Sequence, residues 1–235
     1  MFRVGIPTLL RPSLSGGDAR AVYYVLKAGA ILGAPSTPLA SRRALCDSGW
    51  AEGVVGALAT HADSPSASPA HSLAVVGAGF RAIAAMGDYG GMRGGFFRAG
   101  APSLVMRLLA AHGASPDVAA GGCKALAVLV GGSKAHAKEC CTLGVMPLLL
   151  LLLSAHRGDG EVVGAACRAL AECAVMAQVE ARAAGALDTV VSAMEAHPMD
   201  AMVQKEGRRA KAAFATPAPL ISAFSDRPAV FGARR

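Results

Sequence analysis

The stretch Leu143-Gly144-Val145-Met146-Pro147, followed by the leucines Leu148 to Leu153 and by Ser154-Ala155-His156, decides the fold. A polar break, Arg157-Gly158-Asp159-Gly160, separates it from Glu161-Val162-Val163-Gly164-Ala165-Ala166-Cys167-Arg168-Ala169-Leu170-Ala171-Glu172-Cys173. The pattern reads as a turn glycine, a buried helix, a short loop and a longer amphipathic helix. Neither helix can bury its apolar side alone, so the unit needs copies of itself on either side.

Counting from the glycine finds those copies. Gly49, Gly100 and Gly185 open equivalent stretches, and Gly5 opens a partial one. Twelve residues on from the four complete openings stand His61, His112, His156 and His197. Twenty-four on from Gly100, Gly144 and Gly185 stand Lys124, Arg168 and Arg209; twenty-eight on stand Val128, Glu172 and Ala213. The Gly49 copy reaches the matching Arg81 and Ala85 only after an eight-residue surplus, placed in the Pro/Ser-rich loop from Ala62 to Pro69. The glycines lie 51, 44 and 41 residues apart, around the period of helical repeats of about 40–47 residues.

This register predicts pairs of longer helices at 51–60 and 72–86, 102–111 and 117–130, and 187–196 and 200–214. Short helices are expected at Pro38 to Cys46, Ser133 to Cys141 and Gln178 to Ala184, and an opening helix from Asp18, a candidate N-cap, to Leu32. Ser115-Pro116-Asp117 is a further helix start. The glycines between Gly87 and Gly95 predict a weak or frayed short helix there. The repeats are expected to span 1–214, with an irregular or disordered tail over 215–235. Polar capping repeats are not evident at either end, so apolar end faces are expected.

The chain has 235 residues, 53% of them hydrophobic, and a formal net charge of +7. That charge, with a pI near 9.4, favours an anionic partner. The six cysteines (Cys46, Cys123, Cys140, Cys141, Cys167, Cys173) lack Cys-x-x-Cys spacing and mostly fall on apolar helix faces, which suits reduced thiols in a cytoplasmic protein, with the nucleus as a second location. The longest apolar run, Val145 to Leu153, is about half the roughly 20 residues of a spanning helix, so no membrane span is expected.

The unit of glycine, small residue, proline, spaced leucines, polar break and alanine-rich helix is similar to the armadillo repeat. Gly100 to Val130 and Gly144 to Val175 match best, and Val203-Gln204-Lys205-Glu206-Gly207 resembles the start of that family's third helix. The resemblance implies an all-α, right-handed armadillo-type α-solenoid of about four repeats plus a partial N-terminal one. It implies third helices lining a concave groove that takes extended peptides. The family's peptide-binding asparagine corresponds to Ala85, Val128, Glu172 and Ala213, and the tryptophan of nuclear-import receptors to Arg81, Lys124, Arg168 and Arg209. A groove lined by these cations would repel a basic signal peptide.

The expected ligand is therefore an extended, acidic protein segment, gripped by Arg81, Lys124, Arg168 and Arg209 with Glu172 modulating. Nucleic acid on the same basic surface is the alternative; the run Lys205, Arg208, Arg209, Lys211 reads chiefly as a solvated face. Gly77-Ala78-Gly79-Phe80-Arg81-Ala82 matches a dinucleotide fingerprint, but that chemistry needs a preceding strand and a later acid. The four histidines stand a repeat apart, too far to share a metal, and are expected to cap carbonyls at their own helix ends. No catalytic set, cofactor or small-molecule substrate is expected.

Overall fold

The computed structural model describes Leu14, residues 18–62 and residues 69–215. The segment around Gly5, residues 63–68 and the tail from 216 lie outside the described residues, as do the expectations attached to them. The regular structure within the described residues is helical throughout.

The opening helix α1 (Ala19–Gly33) is the third helix of the first repeat. The second repeat holds α2 (Leu39–Asp47), α3 (Trp50–His61) and α4 (Pro69–Met86); the next, α5 (Gly90–Arg98), α6 (Ala101–His112) and α7 (Pro116–Val130). Then come α8 (Lys134–Thr142), α9 (Val145–Ala155) and α10 (Gly160–Ala183), followed by α11 (Ala186–Ala196) and α12 (Ala201–Ala215). Helix α10 bends at Ala177, where φ is −126° and ψ 27°, so its last turns serve as the short first helix of the final repeat.

The anchoring glycines recur for a backbone reason. Gly49, Gly100, Gly144 and Gly185 have φ of 71°, 79°, 85° and 68°, each at the corner between a short helix and a second helix. Any residue with a Cβ pays roughly 1–2 kcal/mol in that left-handed region. Three of the third helices begin on aspartate caps. Asp159 Oδ1 accepts from Glu161 N (3.0 Å) and Val162 N (3.1 Å), and Asp200 Oδ1 from Met202 N (2.9 Å) and Val203 N (3.0 Å). Asp18 caps α1 by accepting from Arg20 N at 2.9 Å, as its position predicts.

The third helices stack in sequence: α1 on α4, α4 on α7, α7 on α10, and α10 on α12. Each second helix covers its own third helix from outside, and one small residue sets how closely. A Cβ added at Gly79 would stand 2.4 Å from Leu58 Cδ2, and one at Gly122 2.4 Å from Leu109 Cδ2. Phe80 is fully buried between stacked layers, its Cβ within 3.3 Å of where a Cβ of Gly121 would lie.

The glycine-rich segment forms a helix after all. Met92 and Phe96 of α5 are buried, and Arg93 ties it down, its Nε donating to Gly87 O (3.1 Å) and its Nη1 to Gly131 O. Those carbonyls close α4 and α7, where a helix leaves acceptors unsatisfied. The last repeat repeats the device: Gln178 Nε2 donates to Ala213 O (2.9 Å), and Arg182 Nε and Nη2 to Phe214 O (3.0 and 2.8 Å). Short first helices thus clamp the C-terminal ends of third helices. Helix α4 also begins earlier than its hydrophobic period suggests, at Pro69.

The histidines differ from expectation in their partners. His156 Nε2 lies 2.6 Å from Gly113 O, and His197 Nε2 2.7 Å from Arg157 O. A carbonyl only accepts, so Nε2 carries the proton. Each ring crosses to the corner of the preceding repeat instead of capping its own helix, because neighbouring corners stack within side-chain reach. On α12, Lys205, Arg208 and Lys211 are exposed, and so is Met202. The stretch Gly160–Val179 is long and apolar enough to cross a membrane, yet 67% of it is buried, between α7 and α12, as for the core helix of a solenoid.

Cys123, Cys140, Cys167 and Cys173 are buried. Burial pushes the first three thiols up from 9.0 to about 12. A hydrogen bond with Cys141, together with burial, raises Cys173. Thiolate is the reactive form, so these four should resist iodoacetamide at pH 8 in the native protein and react in denaturant, as peptide mapping would measure. With folded pKa values above unfolded ones, their contribution to stability should fade as pH climbs from about 9 toward 12.

Candidate functional site

The row of cations can be placed from the bridges it makes. Lys124 reaches from α7 to α10, its Nζ 2.6 Å from Glu161 Oε1. Arg209 reaches from α12 back to α10, its Nη2 2.5 Å from Glu172 Oε1. Both bridges run between adjacent third helices, so Lys124 and Arg209 lie on the surface of the third-helix stack.

Within this row the cations are not equivalent. The Lys124–Glu161 pair is open to water, the two side chains being 43% and 66% exposed, so it contributes at most about 1 kcal/mol. Arg209 is held more firmly, because Glu172 is only 16% exposed and the buried Glu206 places Oε2 3.6 Å from Nη1. Partial burial by itself would lower the pKa of Arg209, but the hydrogen bonds and negative charges of Glu172 and Glu206 outweigh it, and the net shift is upward. Lys205 shares Glu206, at 3.6 Å.

Arg81 and Arg168 have no hydrogen bond or ion pair among the described residues. The inter-repeat register explains Arg168. Glu161, the acid that meets Lys124, stands seventeen residues after Gly144; Met202 holds that place in the next repeat, and Asp117 in the preceding one. Arg168 therefore faces a repeat with no carboxylate at that place, while Arg81 makes no ion pair with Asp117, which holds it in the next repeat. Arg81 lies along its own helix instead, its Nη1 3.5 Å from where a Cβ of Gly77 would be.

Of the five expected binding residues, Glu172 and Arg209 are engaged with each other and Lys124 with Glu161, while Arg81 and Arg168 stand on the third helices α4 and α10. The residues at the family's asparagine position give a low floor: Val128 is buried, Ala85 and Ala213 partly so. The sequence register overlooked Glu161, Glu206 and Lys27. Counting from Gly5 puts Gly29 in the row, but Gly29 is buried, and a Cβ there would stand 2.8 Å from Trp50 Cζ2. Lys27, two residues earlier on α1, is exposed, with its Nζ 5.3 Å from the centre of the Tyr23 ring. Its charge and exposure period were legible in the sequence.

Gly77 and Gly79 lie inside helix α4, with no strand before them, so the dinucleotide reading is discarded. Among the described residues, no group of three or more His, Cys, Asp or Glu side chains converges as metal ligands would. Two clefts run between neighbouring second helices on the outer layer. One, about 670 Å³, is lined by Ser154, Arg157, Asp188 and Ser192; another, about 610 Å³, by Ser103, Arg107, Leu143 and Leu148. Both open to solvent, away from the row.

No protein-family model matches the sequence, and no curated protein matches it significantly. Solved structures do. An engineered protein is similar with a TM-score of 0.76 and 23% identity, covering 90% of this chain and 81% of its own. Computationally designed armadillo repeat proteins for modular peptide recognition are similar with a TM-score of 0.72 and 22% identity over 89% of this chain and 82% of theirs. A second engineered protein has a TM-score of 0.59 and 21% identity over 88% of this chain and 96% of its own. The glycine-cornered three-helix unit, the stacked third helices and these likenesses together give the chain the fold of an armadillo-like α-solenoid.

Proposed function

We propose that this chain is a non-enzymatic interaction scaffold that holds an extended, acidic protein segment along its stacked third helices. The observation that carries this is the unequal charge balance of the row: Arg81 and Arg168 remain without acids while their neighbours are paired. Arg can hold a carboxylate through two parallel hydrogen bonds, and the small side chains at Ala85, Val128 and Ala213 leave room for a backbone to approach. Lys124 and Arg209 add to the field that draws an acidic chain in, and Glu172 tempers it. Similarity to designed proteins made for peptide recognition supports the same use of the groove. Reduced, buried thiols suit the cytoplasm, with the nucleus as the second location.

Binding of a fluorescent poly-glutamate peptide, followed by anisotropy in low salt, tests this. Replacing Arg81, Lys124, Arg168 and Arg209 together by alanine should weaken binding by at least about tenfold, as four water-exposed contacts of up to 1 kcal/mol each permit. Equal affinity in the quadruple variant would overturn the proposal. The exposed Lys205, Arg208 and Lys211 beside Arg209 favour a second reading, in which the surface takes nucleic acid. That reading requires tight binding of single-stranded RNA with a steep loss of affinity as salt rises.

A further inference from the structure

Two of the six cysteines meet beside the bend in α10. Cys141 stands near the end of the short helix α8, and Cys173 on α10, one helical turn before Ala177. The Cys141 thiol donates to Cys173 O, with Sγ and O 3.9 Å apart, and the Cys173 thiol is in turn hydrogen-bonded with Cys141. Sulfurs in such contact have a short way to close to the roughly 2.05 Å of a disulfide. Exposure separates their roles. Cys173 is fully buried, whereas Cys141 is partly open to solvent and within reach of a small oxidant. Cys123, Cys140 and Cys167 are all buried, so Cys141 is the sulfur of this group that an oxidant meets first. Redox-sensing thiols combine the same two features, an accessible sulfur and a second one poised beside it.

We propose that Cys141 and Cys173 are a thiol pair that hydrogen peroxide converts to a disulfide, stapling α8 to α10 at the bend. The Cys141 sulfur attacks one peroxide oxygen; the O–O bond breaks, and Cys141 becomes a sulfenic acid as water leaves. The Cys173 sulfur then attacks the Cys141 sulfur. The S–S bond forms, the S–O bond breaks, and the hydroxyl departs with the Cys173 proton as a second water. The two thiols lose a pair of electrons and the peroxide gains it.

The staple would tie the first helix of its repeat to the third, where α10 turns into the last repeat. Beyond that bend stand Gln178 and Arg182, which hold the carbonyls at the end of α12. Oxidation would therefore stiffen the joint between the last two repeats, and this holds whatever segment the scaffold binds.

The experiment treats the full chain with hydrogen peroxide, blocks the remaining thiols with iodoacetamide in denaturant, and digests with trypsin in the absence of reductant. Cleavage after Lys138, Arg157, Arg168 and Arg182 places Cys141 in peptide 139–157, Cys167 in 158–168 and Cys173 in 169–182. The expected product is 139–157 joined to 169–182, lighter than the two peptides by a pair of hydrogens and separated again by dithiothreitol. Cys140→Ala should keep the link and Cys141→Ser should abolish it. Cys173→Ala should leave Cys141 as a sulfenic acid that dimedone traps. The oxidised chain should also unfold at a higher urea concentration, because the cross-link restricts the unfolded state, and Cys141→Ser should show no such rise. Helical circular dichroism before oxidation separates loss of the pair from loss of the fold, and where a variant does not fold the peptide map of the unaltered chain decides by itself. A link through Cys140, a link between chains only, or Cys141 oxidised or unreacted without a link would overturn the proposal.

Discussion

Valine in place of Gly122 is expected to destabilise the protein by about 3 kcal/mol, because overfilling a well-packed core forces side chains off their rotamers or pushes the backbone apart. The new Cβ would meet Leu109 at 2.4 Å from Cδ2, 2.6 Å from Cγ and 2.9 Å from Cδ1. Turning χ2 of Leu109 leaves Cγ where it is, and Leu109 is itself buried. The result would show as a lower urea midpoint with little change in slope. A contrasting substitution isolates the cause. Gly56 on α3 has nothing within 4 Å of a Cβ, so Gly56→Ala should raise stability by about 1 kcal/mol through helix propensity alone. Two helix-interior glycines thus respond with opposite signs, and destabilisation by both, or by neither, would contradict the close approach assigned to Gly122.

Phe80→Ala should cost about 3–5 kcal/mol, as for a fully buried aromatic whose cavity cannot collapse. More informative is where the loss would fall. Phe80 sits at the contact between α4 and α7, against Gly121, and in a solenoid each repeat rests chiefly on its neighbours. Weakening one layer contact should separate the stack into a looser part containing α1 to α4 and a firmer one containing α10 to α12. Native-state hydrogen exchange would register this as lost amide protection in the first set with protection retained in the second. Uniform loss across all helices would mean that the repeats unfold as one cooperative unit.

Much of the fold was legible because its signals are local. A glycine at a left-handed corner has no substitute with a Cβ, so Gly49, Gly100, Gly144 and Gly185 recur in the sequence as they do in the structure. The period of apolar residues marks the second and third helices for the same reason: each buries one face against the next. The short helix α5 stands where it was expected, and glycine weakens it only by propensity. Buried Met92 and Phe96, with Arg93 bonded to Gly87 O and Gly131 O, outweigh that. The histidines show a limit. Their shared position at a helix end was plain, but the carbonyls opposite His156 and His197 belong to another repeat.

The candidate site divides along the same line. That Arg81, Lys124, Arg168 and Arg209 hold equivalent positions followed from counting, since equal offsets in equal repeats occupy equal places. Which of them carries a free charge did not. It depends on the stagger between adjacent third helices and on the residue that meets each cation. Glu161 meets Lys124, whereas Met202 carries no charge for Arg168. By itself, then, the sequence determined the repeat, its corners and the row of cations, all properties of residues near one another in the chain. The tertiary structure decided the pairing of charges, because it is set by how far one helix is displaced along the next.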